Sequence, residues 1–323
     1  MSLITPNQSL ITSSVKDLVV VLTGGAQGVG RNVVEQLYSA GAKVIFGDVD
    51  DNLARQVISS LTSTSSSSSS DQDPGVHFVH CDTSSYNDQL SLFQTAYSRY
   101  QRIDVVIANA AVSLPRDPFS AANLTNEAIL TAPTMAEVDI NLKGVLYTAR
   151  LGYYYLRKNP NPEHRGDLVL VSSIAGFKEC EGLVSYTASK HGVIGVMRGL
   201  ALQAAKEGVK INTICPWMTK TRMVRGIEKG WFDLGLPSNE PADVAQAILI
   251  CATANRSPTP EQGHQGAVLP FSGKILWVGG GKSYEIEDRL QSLEPEWLGH
   301  ENSEILKKGQ EYLHSAETSW DNK

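Results

Sequence analysis

The sequence lacks the features that mark several classes of protein. Its 323 residues contain only 4 cysteines, none in a C-x-x-C pair, which predicts reduced thiols and neither a disulfide framework nor a thiolate metal site. The net charge is −6 and no basic cluster is present, which argues against a nucleic-acid partner. The longest apolar runs, such as LVVVL, are far shorter than a membrane span.

The beginning of the sequence is not expected to be a secretory signal. MSLITPNQSLITSS has neither the basic region nor the long apolar core of a secretory signal. A hydrophobic content of 41% and a charged content of 19% are typical of a globular protein with a sizeable core. We therefore expect a cytoplasmic protein with a small-molecule substrate and with no nucleic-acid, membrane or metal partner.

The stretch 17–41 predicts the first half of a dinucleotide-binding βαβ unit. A short apolar run, LVVVL, is followed by the turn TGGAQGVG and by an amphipathic helical pattern. In such a turn Gly24 allows the tight bend, Gly28 lets the backbone approach a pyrophosphate, and Gly30 lets the helix pack closely on the strand. The helix N-terminus then offers free N–H groups to the phosphates. A glycine-rich turn considered alone also suits an ordinary loop. The remaining predicted contacts in the turn are Gln27 and Val29.

Polar side chains follow the next three predicted strands. Asp48 ends KVIFGD, where a carboxylate can accept hydrogen bonds from the adenosine ribose and repel a 2′-phosphate. No lysine or arginine lies in residues 24–30, so we predict NAD as the cofactor. Asp82 can accept from the adenine amino group, although an Asp that starts a turn is an equally good interpretation. Asn109 ends IDVVIAN, where a nicotinamide-side ribose can lie close.

The stretch SIAGFKECEGLVSYTASK combines three side chains with complementary chemistry. Ser173 follows an apolar run that reads as a strand, and the run from 184 to 206 reads as a helix. Tyr186 and Lys190 are spaced i, i+4 and therefore share a helix face. An ammonium beside a phenol favours the phenolate, which makes a tyrosine usable as a proton carrier. A Y-x-x-x-K spacing without the other motifs would be only a helix turn with a surface lysine.

Strands and helices alternate along the chain and predict an α/β fold: a Rossmann-type, doubly wound parallel sheet in a single domain with a C-terminal extension. Ligands bind such sheets at the carboxyl ends of the strands, where the candidate residues converge. We predict a flexible N-terminal lead-in over 1–16, the domain over 17–283 and the extension over 284–323. A Ser-rich loop at 62–73 is predicted to be disordered.

The ordered set of motifs resembles the short-chain dehydrogenase/reductase family. The match runs over about residues 17–279 through TGGAQGVG, Asp48, CDT (81–83), ANAA (108–111), INLKG (140–144), SSIAG (172–176), YTASK (186–190) and CPWMTKT (215–221). Within the family the chain looks most similar to NAD-dependent members like 15-hydroxyprostaglandin dehydrogenase, including fungal relatives. It departs from the family pattern at Pro216-Trp217, where Pro-Gly is common, and this departure leaves the shape of the substrate open.

The resemblance implies a role for each matching residue. Tyr186 would be the general acid and base, Lys190 would lower its pKa and hold the nicotinamide ribose, and Ser173 would hydrogen-bond the substrate oxygen. Asn141 would kink its helix and hold a water that links Lys190 to solvent. Further cofactor contacts are expected from Pro216, from the backbone at Thr219 and from Thr221. A homodimer or homotetramer would assemble through the helices at about 134–158 and 184–206.

The segment 217–240 follows the sixth predicted strand at the active edge and is aromatic and rich in methionine. We predict a substrate lid there, although the same residues also suit a subunit interface. Its candidate substrate contacts are Trp217, Met218, Trp231 and Phe232. The predicted activity is hydride transfer between NAD(H) and a hydrophobic secondary alcohol or ketone, such as a secondary metabolite. The alternatives are an NADP-dependent ketoreductase of the same family and an NAD-binding scaffold without turnover.

Overall fold

The computed structural model describes residues 1–63, 73–114, 117–257 and 259–313. Within these ranges the strands form one nine-stranded sheet. The strands are β1 (Ser2–Ile4), β2 (Val19–Thr23), β3 (Lys43–Asp48), β4 (Val76–His80), β5 (Val105–Ala108), β6 (Gly166–Val171), β7 (Val209–Pro216), β8 (Lys274–Gly279) and β9 (Lys282–Glu285). Their spatial order is β1-β9-β8-β7-β6-β5-β2-β3-β4, and only the two pairs that involve β9 are antiparallel.

Helices cover both faces of this sheet. They are α1 (Gln8–Val15), α2 (Gly28–Ser39), α3 (Asp51–Thr62), α4 (Tyr86–Tyr100), α5 (Ala136–Val138), α6 (Gly144–Leu156), α7 (Val184–Lys206), α8 (Glu228–Asp233), α9 (Pro241–Thr253), α10 (Glu287–Ser292), α11 (Glu294–Leu298) and α12 (His300–Leu313). A π-helical turn, Asp139–Lys143, joins α5 to α6. No helix in the described ranges combines the length and apolar character that crossing a membrane requires.

The parallel strands separate two apolar cores because successive side chains point to opposite faces of the sheet. Val20 and Leu22 of β2 pack with α1, α2, α3 and α9 on one face. Val19 and Val21 pack with α4, α6 and α7 on the other. Strands buried on both faces read as continuous apolar runs, which is why they were recognisable in the sequence.

The order of the strands places the candidate site. The chain winds outward from β2 in one direction through β3 and β4, and in the other through β5, β6, β7 and β8. The crevice between β2 and β5 is the topological switch point, where such sheets bind ligands at the carboxyl ends of the strands. The predicted Rossmann-type fold with a single domain is confirmed.

The N-terminal residues are part of the fold, and the prediction of a flexible lead-in over 1–16 is wrong. Residues 2–4 pair with β9, and α1 buries Leu10, Ile11 and Val15. The backbone N–H of Asn7 donates to Nδ1 of the buried His264, whose pKa burial lowers to about 4. The sequence signal was weak because β1 has only three residues and α1 only eight.

The C-terminal boundary predicted at 284 cuts through a strand. Tyr284 stacks on Trp277 with ring centres 5.3 Å apart, and the buried Glu287 accepts two hydrogen bonds of 2.8 Å from the Arg198 guanidinium on α7. The sheet domain therefore extends to at least α10. Two glycines precede β9, Gly280 and Gly281, and both have positive φ, which reverses the chain within a short hairpin.

The predicted Ser-rich loop over 62–73 lies mostly outside the described residues, which exclude 64–72. Its first residue, Thr62, is the last residue of α3. At its other end Asp73 accepts a hydrogen bond of 2.6 Å from the Tyr100 hydroxyl and lies 2.7 Å from His77 Nε2. The disorder predicted for the serine tract itself stays a prediction.

Two truncations distinguish the predicted boundary from the observed one. A chain that ends at residue 283 loses half of β9 and the Glu287 acceptor, so it should lose about 3 kcal/mol or more of its free energy of unfolding. A chain that ends at Gly299 loses residues 300–323. Of these, α12 has exposed side chains except Ser303, so the free energy of unfolding should stay within about 1 kcal/mol of that of the full chain. Urea unfolding measures both values, and equal stability of the two truncated chains would contradict the observed boundary.

Candidate active site

The glycine-rich turn has the geometry that the sequence predicts. Gly24 and Gly28 have φ values of +74° and +57°, in the left-handed region that favours glycine. A Cβ at Gly30 would lie 1.9 Å from the carbonyl oxygen of Gly24, so only glycine allows this approach of α2 to the turn. The turn between β2 and α2 is therefore fixed by all three glycines.

The N-terminus of α2 is open to an anion. Its N-cap, Gln27, makes no side-chain capping bond, so its side chain leaves the first N–H groups of the helix uncapped. Val29 is partly buried against the core below. Gln27 Oε1 lies 3.4 Å from Nη1 of Arg222, and the Thr221 methyl faces Gly28. These residues fit the pyrophosphate of a dinucleotide, with a cation and a threonine on the opposite side.

Asp48 ties the glycine-rich turn to the end of β3. Its Oδ2 accepts from the N–H of Ala26 at 2.9 Å, and its Oδ1 accepts from the N–H of Asp50 at 3.1 Å. The side chain is buried, but each carboxylate oxygen has a second lone pair. Asp48 is therefore held in one orientation and can still accept from a ribose hydroxyl.

Two further predicted cofactor residues carry structural bonds. Asn109 donates through Nδ2 to the carbonyl oxygens of Thr23 and Gly24, at 3.1 Å and 2.9 Å, and thus joins β5 to the glycine-rich turn. Asp82 Oδ1 accepts from both the N–H and the hydroxyl of Ser84. These bonds to Ser84 are those of an acid that starts a turn, which is the alternative interpretation of Asp82.

The catalytic candidates converge as their spacing predicts. The predicted helix from 184 to 206 is confirmed as α7, and Lys190 Nζ lies 5.6 Å from the centre of the Tyr186 ring. Ser173, directly after β6, hydrogen-bonds the Tyr186 phenol. Lys190 Nζ also donates to the carbonyl oxygen of Val171 at 3.1 Å. Hydroxyl, phenol and ammonium thus meet at one end of β6.

The protonation states differ from the sequence expectation. Burial raises the pKa of Tyr186 to about 12, although its hydrogen bond with Ser173 lowers it. Burial lowers the pKa of Lys190 to about 8. The pKa of Tyr186 is therefore raised where the sequence expectation had it lowered, because desolvation is the largest effect on the phenol.

Asn141 lies in the π-helical turn between α5 and α6. The kink and the water that the resemblance implies for it stay predictions. Its Oδ1 accepts from the N–H of Val112 and its Nδ2 donates to the carbonyl oxygen of Val112, both at 2.8 Å. The same Nδ2 lies 3.4 Å from the hydroxyl of Ser189, one residue before Lys190. Asn141 therefore connects the segment after β5 to the catalytic helix.

The predicted lid segment begins inside the fold. Pro216 ends β7, Met218 is buried, and Thr219 Oγ1 donates to the carbonyl oxygen of Trp217. Trp217 contacts the ring of Trp231 edge-to-face with centres 5.1 Å apart, and it also approaches Trp277. Residues 220–237 of the segment are mostly exposed; Phe232 lies there, with Lys220 Nζ 5.5 Å from its ring centre.

In the described residues, no three His, Cys, Asp or Glu side chains form a group able to hold a metal ion.

Sequence reasoning missed two buried acids at the site. Asp117 accepts from the N–H of Val184, the first residue of α7, and Glu137 accepts from the N–H of Leu114 at 2.8 Å. Glu137 lies four residues before Asn141, a spacing that indicates a shared face. Asp117 lies in an irregular loop, and no local pattern in the sequence connects it to a helix that begins 67 positions later.

Comparison with known proteins agrees with this geometry. The family profile described as short chain dehydrogenase matches residues 18–230. The chain belongs to this family. The short-chain dehydrogenase/reductase ascJ of Acremonium egyptiacum is 36% identical over 237 residues, which cover 73% of this chain and 74% of that protein. The 5'-hydroxyaverantin dehydrogenase of Dothistroma septosporum is 26% identical over 90% of this chain and 93% of its own.

A solved member of the short-chain dehydrogenase fold is also similar. The 3-ketoacyl-(acyl-carrier-protein) reductase from Brucella melitensis, whose structure is a complex with NADH, gives a TM-score of 0.65 at 21% identity and covers 83% of this chain and 98% of its own. The family predicted from the sequence is thus confirmed. The likeness to 15-hydroxyprostaglandin dehydrogenase and the choice of NAD stay predictions.

The lowered pKa of Lys190 makes a prediction about the stability of this dehydrogenase. Between pH 8 and 10.5 the unfolded chain binds a proton that the folded chain does not, so the penalty of the buried lysine grows as the pH falls through this window. Lys190→Met should raise the unfolding temperature at pH 7.5 by on the order of 5 °C and flatten its pH dependence. Lys206→Met, at an exposed position of α7, is the control. A Lys190→Met protein that melts lower than the original at every pH would refute the assignment.

Proposed function

We propose that this chain transfers a hydride between NAD(H) and a secondary alcohol or the corresponding ketone. The observation that carries the proposal is the meeting of Ser173, Tyr186 and Lys190 at the end of β6, with Asn141 joined to the same helix. Each of the four has a distinct task in proton exchange at a substrate oxygen. A protein that only binds a dinucleotide does not require this combination.

The side chains act on the substrate oxygen. Bound NAD supplies the acceptor for the hydride. Ser173 donates a hydrogen bond that orients the oxygen, and Tyr186 takes the hydroxyl proton during oxidation or returns it to the carbonyl during reduction. With a pKa of about 12, Tyr186 holds its proton at neutral pH and is ready for reduction. Oxidation requires the phenolate, so its rate should rise with pH.

The acids near the adenosine end support NAD over NADP. Asp48 stands at the end of β3, and Asp50 and Asp51 follow it at the start of α3. These carboxylates repel a 2′-phosphate, whereas Asp48 can accept from a free ribose hydroxyl. Residues 24–30 contain no lysine or arginine to offset them. NAD preference in turn favours the oxidation of an alcohol.

Exposed apolar side chains support a hydrophobic substrate. Phe119, Ile129 and Leu130 are exposed in the loop that Asp117 ties to α7, and Ile227 and Leu234 are exposed in the predicted lid at 217–240. A secondary metabolite is a fitting substrate class, since one relative is named 5'-hydroxyaverantin dehydrogenase. We further propose that the chain belongs with the 15-hydroxyprostaglandin-dehydrogenase-like members and acts in the cytoplasm.

We also propose a homodimer or homotetramer through α6 and α7. Leu146, Tyr154 and Leu202 are exposed on these helices. Gly195 and Gly199 have open space where a side chain would stand, which allows another helix to approach. Gly192, on the same helix, instead packs against Leu142 of its own chain, so it does not offer such a space.

The direct test of the activity is Tyr186→Phe, which removes one oxygen and keeps the ring. Intact protein is screened with secondary alcohols and ketones by the change in NADH absorbance, and the variant is assayed on the best substrate. Turnover should fall by about 10²–10⁴-fold, the usual contribution of general acid–base catalysis, with the affinity for NADH unchanged. Near-normal turnover in the variant would make Tyr186 the wrong proton carrier. Binding of NADH without turnover of any substrate would favour the scaffold alternative.

Cofactor choice is tested at Asp48. NADH should bind the intact protein at least about 10-fold more tightly than NADPH, because a hydrogen bond to a charged group contributes about 1.5–3 kcal/mol. Asp48→Ala should weaken the binding of both NADH and NADPH, since the N–H of Ala26 loses its acceptor. It should also bring the two dissociation constants closer together. Glu296→Ala, at an exposed position of α11 away from the site, is the control and should leave both dissociation constants unchanged. Equal dissociation constants in the intact protein would support the NADP-dependent ketoreductase instead.

A further inference from the structure

Glu137 and Asn141 hold alternate residues of one extended segment. They lie one turn apart on the helical stretch formed by α5 and the π-helical turn. Asn141 bonds both backbone groups of Val112 at 2.8 Å, and Glu137 Oε1 accepts from the N–H of Leu114 at 2.8 Å. Two residues that are four positions apart on the helix thus bind two residues that are two positions apart in the segment 112–114. The segment 112–114 directly follows Asn109, Ala110 and Ala111 at the end of β5.

The Glu137 carboxylate is buried and is held by a backbone hydrogen bond. Its residue is 5% exposed, and its Oε1 accepts from the N–H of Leu114 at 2.8 Å. Among the described residues, Asp104 and Asp167 at the opposite edge of the sheet are instead paired with Arg102 and Arg256. A buried carboxylate is costly unless hydrogen bonds compensate it, so the bond to Leu114 is important for Glu137.

Glu137 is linked to the catalytic tyrosine by a chain of contacts and by its charge. Through the helix it is linked to Asn141, whose Nδ2 lies 3.4 Å from the Ser189 hydroxyl, and that hydroxyl donates to the carbonyl oxygen of Tyr186 at 2.7 Å. Through space its negative charge contributes to the raised pKa of Tyr186, after the larger effect of burial. The other groups that face this phenol are Ser173, Cys180, Lys190 and Cys215.

We propose that Glu137 is a positioning residue that acts with Asn141 as a two-point clamp on the segment 112–114, which follows the end of β5. The inference rests on the proposed oxidoreductase function. The clamp fixes the path of the chain as it leaves the end of β5, beside the catalytic helix α7. Its charge also opposes the phenolate of Tyr186, which keeps this side chain protonated to higher pH.

The test compares Glu137→Ala, Glu137→Gln and the control Glu127→Gln on the exposed part of the same loop. Hydrogen exchange of the Leu114 amide reports on the clamp without any substrate. In the alanine variant it should accelerate by about 10-fold or more, and the KM for the substrate should rise by a similar factor, because a bond to a charged acceptor is lost. The glutamine variant keeps an acceptor oxygen and should restore both values.

The pH profile separates positioning from a merely structural role. Both Glu137 variants should move the rise of alcohol oxidation to lower pH, since the charge that opposes the phenolate is gone in both. Unchanged Leu114 exchange in the alanine variant, or a glutamine variant as impaired in KM as the alanine variant, would overturn the clamp. An unchanged pH profile in both would overturn the effect of the charge. If the intact protein turns over no substrate, the proposed activity fails, while Leu114 exchange still decides the clamp.

Discussion

The burial of the Lys190 ammonium is the constraint on which the catalytic arrangement depends. A lysine that is 1% exposed is costly in its charged form, and its ammonium donates a hydrogen bond to the carbonyl oxygen of Val171. The helix α7 must therefore be held firmly against the end of β6. Arg198 and Glu287 supply part of that hold from the C-terminal side, and Asp117 supplies part of it at the first turn. The cost of burying Lys190 is thus offset by the contacts that hold α7 in place.

Carboxylates at the two edges of the sheet differ in their pairing with arginines. Asp48, Glu137 and Asp117 each accept from the backbone N–H of a separate segment at the active edge. Asp104 and Asp167, at the start of their strands, are paired with arginines, and Asp104 also accepts from the N–H of Val19. The cleft is consequently bordered by fixed negative charge, which disfavours anionic substrates and agrees with a neutral, apolar one. It also leaves the N-terminus of α2 as the place for phosphate.

Local patterns predicted the central part of the fold because parallel strands and amphipathic helices have strong periodic signals. The glycine-rich turn and the Tyr186–Lys190 pair were equally readable, since each depends on fixed short spacings. Contacts between distant residues were not, as Asp117 with Val184 and Glu287 with Arg198 illustrate. The pKa of Tyr186 was also misjudged, because desolvation depends on the tertiary surroundings and cannot be read from a spacing of four.

The pairing of β1 with β9 joins the two ends of the sheet domain. Ser2 stands opposite Glu285, so β1 has to wait until nearly the whole sheet domain has been synthesised before its partner strand exists. Contacts of such large sequence separation form late, since the chain between them must already be ordered. The seven parallel strands can therefore assemble first, with β1 and α1 closing the edge afterwards. During synthesis the outer side of β8 remains an open strand edge, and nascent chains are most exposed to wrong strand pairing in that interval.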